Sequence, residues 1–79
     1  MTPEKLQKIP FHFVQHMNME HEHTSSYASP DNRLGFCDHT IYKDGAPYRT
    51  YRHYRIDLKV YKSKKKFMEA IKDFNPENE

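Results

Sequence analysis

The sequence predicts an α+β domain in which a small antiparallel sheet carries a C-terminal helix on one face. Three observations lead to this prediction. Apolar and polar residues alternate strictly over residues 54–61, which is typical of a half-buried strand. The dipeptide Asp44-Gly45 between two strand-like segments is a strong signal for a β-hairpin. Apolar residues within 67–74 follow the i, i+3, i+4, i+7 spacing of a helix with one apolar stripe.

Local signals define the N-terminal elements. Thr2 is a good N-cap and Pro3 is tolerated in a first helical turn, so we expect a short helix that ends at Pro10. Residues 11–16 are aromatic and β-branched enough for a strand. Residues 17–35 consist mainly of polar and turn-forming residues, and they predict a long surface loop.

A hairpin over about residues 36–61 forms most of the predicted sheet. Its first strand covers residues 36–42, and Pro47 predicts a connection slightly longer than the minimal two-residue turn. The return strand has four apolar residues on one face: Tyr54, Ile56, Leu58 and Val60. We expect this face to pack on the stripe of the helix that Ser63 caps, which consists of Phe67, Ile71 and Phe74. Residues 75–79 predict a frayed acidic tail.

The composition indicates one small domain, residues 1–79, with a thin core. Hydrophobic residues make up 35% of the chain and charged residues 30%. Cys37 is the single cysteine, which excludes an internal disulfide and suits a reducing compartment. We therefore expect stabilisation by a second copy, as a dimer or higher homo-oligomer. No apolar run approaches the roughly 18 residues of a membrane span, and no signal peptide is evident. We expect a cytoplasmic protein without a membrane partner.

Charge is distributed unevenly along the chain. Residues 43–66 contain nine Lys or Arg and two Asp, a net charge of +7. The remaining 55 residues contain four basic and nine acidic side chains, a net charge of −5. Because the local potential governs the encounter with a partner, this block favours a polyanion.

Three consecutive triplets within the basic block begin with Tyr-Arg: Tyr48-Arg49-Thr50, Tyr51-Arg52-His53 and Tyr54-Arg55-Ile56. Arginine presents a planar fork of donors to phosphate, and tyrosine presents a ring for stacking on a base. Tyr54 is in register with Ile56, and we expect it in the core. The predicted nucleic-acid-binding residues are Tyr48, Arg49, Tyr51, Arg52, Arg55, Lys59, Lys62, Lys64, Lys65 and Lys66. In the alternative interpretation the triplets form a solubilising hairpin with cross-strand aromatic pairs.

Six histidines raise the questions of metal binding and catalysis. His16, His21, His23 and His39 could surround a divalent metal with Glu20 and Glu22, but they lack zinc-site spacing, and we expect no metal and no cofactor. A metal-free nuclease that uses His39, Tyr51, His53 and an arginine is conceivable. A thin core is a poor support for catalytic geometry, so we expect a protein that is not an enzyme and has no catalytic residue.

In its length, its lack of an active-site motif, its charge layout and its lysine-rich C-terminal helix over 63–74, the chain resembles short accessory proteins of tailed bacteriophages. That group includes inhibitors of host defence, such as anti-CRISPR proteins and inhibitors of toxin–antitoxin systems. The resemblance implies stoichiometric binding in the host cytoplasm to a host defence protein or its RNA. The leading hypothesis is an RNA-binding inhibitor. The alternative is a protein–protein inhibitor that docks its basic hairpin on an acidic host surface, and the third is the small nuclease.

Overall fold

The computed structural model describes residues 1–74 of the chain, and the predicted acidic tail lies outside them. The elements in order are α1 (Pro3–Gln7), β1 (His12–Asn18), β2 (Glu22–Ala28), β3 (Leu34–Lys43), β4 (Ala46–Ile56), β5 (Lys59–Tyr61) and α2 (Lys64–Ile71). The strands form one five-stranded sheet in the order β1-β2-β3-β4-β5, and each strand is antiparallel to the next. The α+β class with an antiparallel sheet and two helices is confirmed. Within residues 1–74 there is no helix with the length and apolarity that a membrane crossing requires.

Both helices begin at the predicted caps. The Thr2 hydroxyl accepts a hydrogen bond from the backbone N–H of Lys5, and the Ser63 hydroxyl accepts one from the N–H of Lys66. Each bond satisfies a backbone donor that the first helical turn leaves without an intrahelical partner. The short α1 ends at Gln7, three residues before Pro10.

The prediction of a long loop over residues 17–35 is wrong, because β2 occupies its centre. The side chains of β2 are mostly polar and show no apolar alternation, so the usual strand signal is missing. The strand forms because it pairs on both sides, with β1 from Asn18↔His23 to His12↔Ala28 and with β3 from Glu22↔Ile41 to Ala28↔Gly35. Its backbone is therefore satisfied by two ladders.

The turn between β3 and β4 is shorter than Pro47 suggested. Lys43 pairs with Ala46, so Asp44 and Gly45 alone form the connection, with φ of 54° and 81°. Positive φ at both positions matches the twist of the flanking strands. The register shifts next to Pro47: Ile41 pairs with Arg49 and Tyr42 pairs with Pro47, so Tyr48 is an extra residue of β4.

The expectation that Leu58 and Val60 pack in the core is also wrong. The predicted continuous return strand is broken by a second turn after Ile56, where Asp57 adopts a φ of 52°. Leu58 stands at the tip of this turn with 99% of its surface exposed, and Val60 is 56% exposed. Tyr54 and Ile56 do pack against the core, as expected.

The core lies at one end of the sheet, where β3 begins and β4 ends. Leu34, Phe67, Ile71 and Phe74 form its buried cluster. The Phe67 ring stacks on Tyr54 at a centroid distance of 4.7 Å and meets Tyr61 edge-on at 6.3 Å. The α-amino group of Met1 donates hydrogen bonds to the carbonyls of Ile71 and Phe74, at the C-terminus of α2. A positive charge is favourable at this end of the helix dipole.

Candidate nucleic-acid interface

The sheet has two faces, which we name after adjacent residues of β4. The Tyr54 face carries the side chains of Tyr54 and Arg52 and of the residues paired with them on the neighbouring strands. His53, Tyr51 and their neighbours define the His53 face, because successive side chains of a strand point to opposite sides. The Phe67 ring of α2 contacts the Tyr54 face through Tyr54 itself.

Four side chains on the His53 face form a connected cluster. The Tyr51 ring stacks on His39 with a centroid distance of 4.6 Å and an interplanar angle of 5°. The His53 ring lies 4.7 Å from that of His39 and 5.1 Å from that of Tyr51. The Tyr51 hydroxyl donates a 2.9 Å hydrogen bond to Glu22 Oε1. Tyr51 is therefore a cross-strand packing residue within the chain, with one ring face occupied.

The surroundings of His53 and Tyr51 favour the neutral forms of these two side chains. The pKa of His53 is lowered from its ordinary value of 6.5, first by burial and then by the charges of His39 and Lys62. The pKa of Tyr51 is raised, chiefly because its hydroxyl donates to the Glu22 carboxylate. The Nε2 atom of His39 is buried and has no hydrogen-bond partner within residues 1–74.

Two candidate residues, Tyr48 and Arg49, are exposed at the hairpin end of the sheet. Tyr48 is 67% exposed, and the Lys43 ammonium lies 5.3 Å from the centre of its ring. The Arg49 guanidinium lies 5.7 Å from the centre of the Tyr51 ring, and within residues 1–74 it forms no ion pair. The Arg49 side chain is thus exposed beside the ring cluster and able to meet a phosphate.

Two other arginines of the triplets are engaged inside the chain. Arg52 lies on the Tyr54 face, donates to Asp38 at 2.6 and 3.1 Å, and covers the Phe36 ring at 4.2 Å. Arg55 donates to the carbonyls of Asn32 and Asp57 at 3.1 and 2.6 Å. Its guanidinium therefore connects the loop before β3 with the turn after β4.

The candidate lysines lie in β5, directly after it and in the first turn of α2. Lys62 follows β5 and is close enough to His53 to lower its pKa. Lys64, Lys65 and Lys66 form the first turn of α2, and Lys59 lies in β5 beside the Tyr61 ring. Within the described range 1–74, Lys62 and the three helix lysines have no ion pair. The ten candidates are therefore not gathered on one surface: they divide between the two faces, the β5 edge and α2.

A shallow depression of about 320 Å³ lies beside the ring cluster. Its lining on the His53 face includes Gln15, Ser26, Cys37, His53, Arg55 and Val60. The Ser26 hydroxyl and the Cys37 thiol are 3.2 Å apart and in hydrogen-bonding contact. The His53 ring and the Ser26–Cys37 pair thus both border the depression.

The histidines weighed as metal ligands divide between the faces. His16 and His23 are neighbours on the Tyr54 face, with ring centroids 5.8 Å apart, whereas His39 is on the His53 face. Residues 1–74 contain no group of three or more His, Cys, Asp or Glu side chains arranged to hold a metal ion.

Sequence reasoning did not connect Glu22 or Thr24 with the Tyr-Arg triplets. Thr24 Oγ1 lies 3.2 Å from His39 Nδ1, and Glu22 Oε2 lies 3.9 Å from the same nitrogen. Both residues belong to β2, so only the register of that strand would have placed them there. Comparison with protein-family models, curated proteins and solved structures finds no match to this chain.

Proposed function

We propose that the chain is a small RNA-binding protein that acts by stoichiometric binding, and that α2 packs on the Tyr54 face so that the His53 face stays open for the nucleic acid. The observation that carries this proposal is the position of exposed cations at both ends of a ring cluster on one sheet face. Arg49 stands at one end, and Lys62 is near His53 at the other. Sheet faces with exposed aromatic rings and flanking cations bind single-stranded RNA in other folds.

The dimensions support a strand of nucleic acid along β4. Arg49 and His53 are four residues apart on one strand, which is about 14 Å at the usual rise of a β-strand. Arg49 and Lys62 would contact phosphates, and Tyr48 would stack on a base. The depression beside His53 would receive a second base. Arg52 and Arg55 keep structural roles, because their donors already have partners in the chain.

The resemblance to phage accessory proteins adds a physiological setting to this proposal. The bound RNA would belong to a host defence ribonucleoprotein or to a toxin–antitoxin system, and the protein would act by occupying it. The protein–protein inhibitor hypothesis uses the same cations against an acidic protein surface. Binding of isolated RNA discriminates between the two, because an inhibitor that docks only on a protein has no affinity for RNA beyond that of its charge.

The test is fluorescence anisotropy of a labelled single-stranded RNA, titrated with protein at several salt concentrations. We expect Arg49→Ala and Lys62→Ala to weaken binding and to reduce the slope of log K against log salt by about 0.7 each. Lys8→Ala is the matched control: it removes the same charge from an exposed residue after α1, and its binding should equal that of the wild type.

Tyr48→Ala tests stacking separately from charge. Its ring is largely exposed, so the fold should survive, while binding should weaken by about 1–3 kcal/mol with an unchanged salt slope. Equal affinity for the wild type and for an unstructured peptide of the same charge would refute the proposal and favour the protein–protein inhibitor. Recovery of cleaved RNA in the presence of a chelator would instead support the nuclease hypothesis.

A further inference from the structure

The two edges of the sheet differ in their protection against pairing. The edge strand β5 has three residues and includes Lys59, and short, charged edges discourage the addition of another strand. The other edge strand, β1, has seven residues, all of them exposed. Its sequence His-Phe-Val-Gln-His-Met-Asn contains no Lys, Arg, Asp, Glu or Pro. The register shift between Phe13 and Gln15 is its one protective irregularity, and it leaves the segment from Gln15 to Asn18 regular.

Apolar side chains of β1 stand in solvent on both faces of this edge. Phe13, Val14 and Met17 are 55%, 53% and 50% exposed, and Met19 just after the strand is 59% exposed. Exposed apolar residues in a chain with so small a core are typical of a surface that a partner covers. The backbone of an edge strand adds unpaired N–H and C=O groups to the same surface.

The backbone geometry identifies which groups point outward. The N–H of Met19 donates a 2.8 Å hydrogen bond to the carbonyl of Glu22 on β2. Hydrogen-bonded and non-hydrogen-bonded pairs alternate along an antiparallel ladder. The N–H and C=O of Met17 therefore also face β2, whereas those of His16 and Asn18 face the open edge.

We propose that a second copy of this chain pairs with β1 in antiparallel orientation, about a two-fold axis at Met17. This axis brings His16 opposite Asn18 of the partner subunit, and Asn18 opposite the partner's His16. Each of these pairs exchanges two N–H···O=C hydrogen bonds. Met17 then meets the partner's Met17 in a non-hydrogen-bonded pair, where opposite side chains come closest.

The charge of the strand favours a second copy over a partner of different chemistry. With no Lys, Arg, Asp or Glu on β1, two copies meet at neutral pH without repulsion between like charges of these residues. The edge also has no charge that would select an acidic or a basic protein. The pairing extends both sheets into one of ten strands and brings the two His53 faces to the same side. The dimer does not depend on RNA binding, but it would place two such faces in one continuous surface.

The size of the contact sets the expected strength. A seven-residue strand is about 24 Å long, and a single strand edge buries less than the roughly 800 Å² per partner of a standard stable complex. We therefore expect a reversible dimer that dissociates in the micromolar range, and a particle mass that rises with concentration from 9.6 kDa toward twice that value.

Sedimentation equilibrium between about 5 and 300 micromolar protein tests this proposal. The wild type should change from monomer to dimer over this range. Met17→Lys should stay monomeric, because it opposes two ammonium groups across the axis. Leu58→Lys is the matched control: it makes the same kind of change at a fully exposed turn far from β1, and it should dimerise like the wild type.

The two-fold register has its own test. Met17→Glu should also be monomeric, but an equimolar mixture of Met17→Lys and Met17→Glu should recover dimers, because the axis brings the two positions together. Circular dichroism of each variant checks that the fold is retained. A wild type that is monomeric throughout, a Met17→Lys variant that dimerises normally, assemblies larger than a dimer, or a mixture without recovery would each overturn the proposal.

Discussion

The position of the core can be tested with one pair of substitutions, Leu58→Ala and Ile71→Val. Leu58 is 99% exposed, so its side chain has nearly the same surroundings in the folded and unfolded chain. Ile71 has no exposed surface and lies in the buried cluster. Removing one buried methylene forfeits about 0.8 kcal/mol of transfer free energy, and the cavity left behind brings the cost of Ile71→Val to about 1 kcal/mol. Leu58→Ala removes more of its side chain and should stay within about 0.5 kcal/mol of the wild type.

Thermal unfolding followed by circular dichroism measures both effects. For a domain of this size, 1 kcal/mol corresponds to a shift in melting temperature of about 4–8 °C. We expect Ile71→Val to melt lower by this amount and Leu58→Ala to melt close to the wild type. Ile71→Val should remain folded, because a chain of this length has about 4–12 kcal/mol of stability. If Leu58→Ala proved the more destabilising of the two, the turn after Ile56 would be wrong and the continuous strand correct.

Two further predictions concern the sheet. The pKa of His53 in the folded chain is lowered from 6.5, so protonation of this residue favours the unfolded chain. The free energy of unfolding should therefore decrease as the pH falls from about 6.5 toward the pKa of His53 in the folded chain. Urea denaturation between about pH 5 and 7.5 measures this dependence of the free energy of unfolding on pH. We expect the dependence to be weaker in His53→Gln. An equally steep dependence in this variant would assign the effect to another group. Gly35→Ala should destabilise by about 1–3 kcal/mol, because a Cβ there would come within 2.9 Å of both the Tyr27 carbonyl and the Arg55 side chain. A melting temperature equal to that of the wild type would show that both neighbours yield freely.

The sequence was sufficient where one local signal determined the structure. Caps at Thr2 and Ser63 and the turn at Asp44-Gly45 depend on neighbouring residues alone, and the structure has all three. Tyr54 and Ile56 were placed correctly because they precede the second turn. That turn has no clear sequence signal, because its tip is Asp57-Leu58 and lacks the glycine or asparagine that usually occupies positions of positive φ.

The strand β2 and the contacts within the ring cluster could not be predicted from the sequence for the same reason. β2 is held by its two neighbours, and a polar strand of this kind has no periodicity of its own to reveal it. Its register determines that Glu22 reaches Tyr51 and that Thr24 reaches His39. The period of three in the Tyr-Arg triplets places Arg52 on the opposite side of a strand from Arg49 and Arg55. Only the register with β3 shows that Arg52 pairs with Asp38.

The off-centre position of the core has a consequence for how the molecule opens. The chain measures 47 × 23 × 21 Å, and its radius of gyration of 14.0 Å exceeds the roughly 12 Å typical of a compact domain of this length. The core cluster, which includes residues of α2 and is contacted by Leu6 of α1, lies at one end of the sheet, while the turn at Asp44-Gly45 closes the far end with backbone hydrogen bonds and little apolar burial. Segments of this kind open locally at a fraction of the global free energy. Amide protection should therefore decline along β3 and β4 from Leu34 and Ile56 toward the far turn. Arg49 and Tyr48 then belong to the most readily adjustable part of the molecule, where a ligand can select among local conformations without unfolding the core.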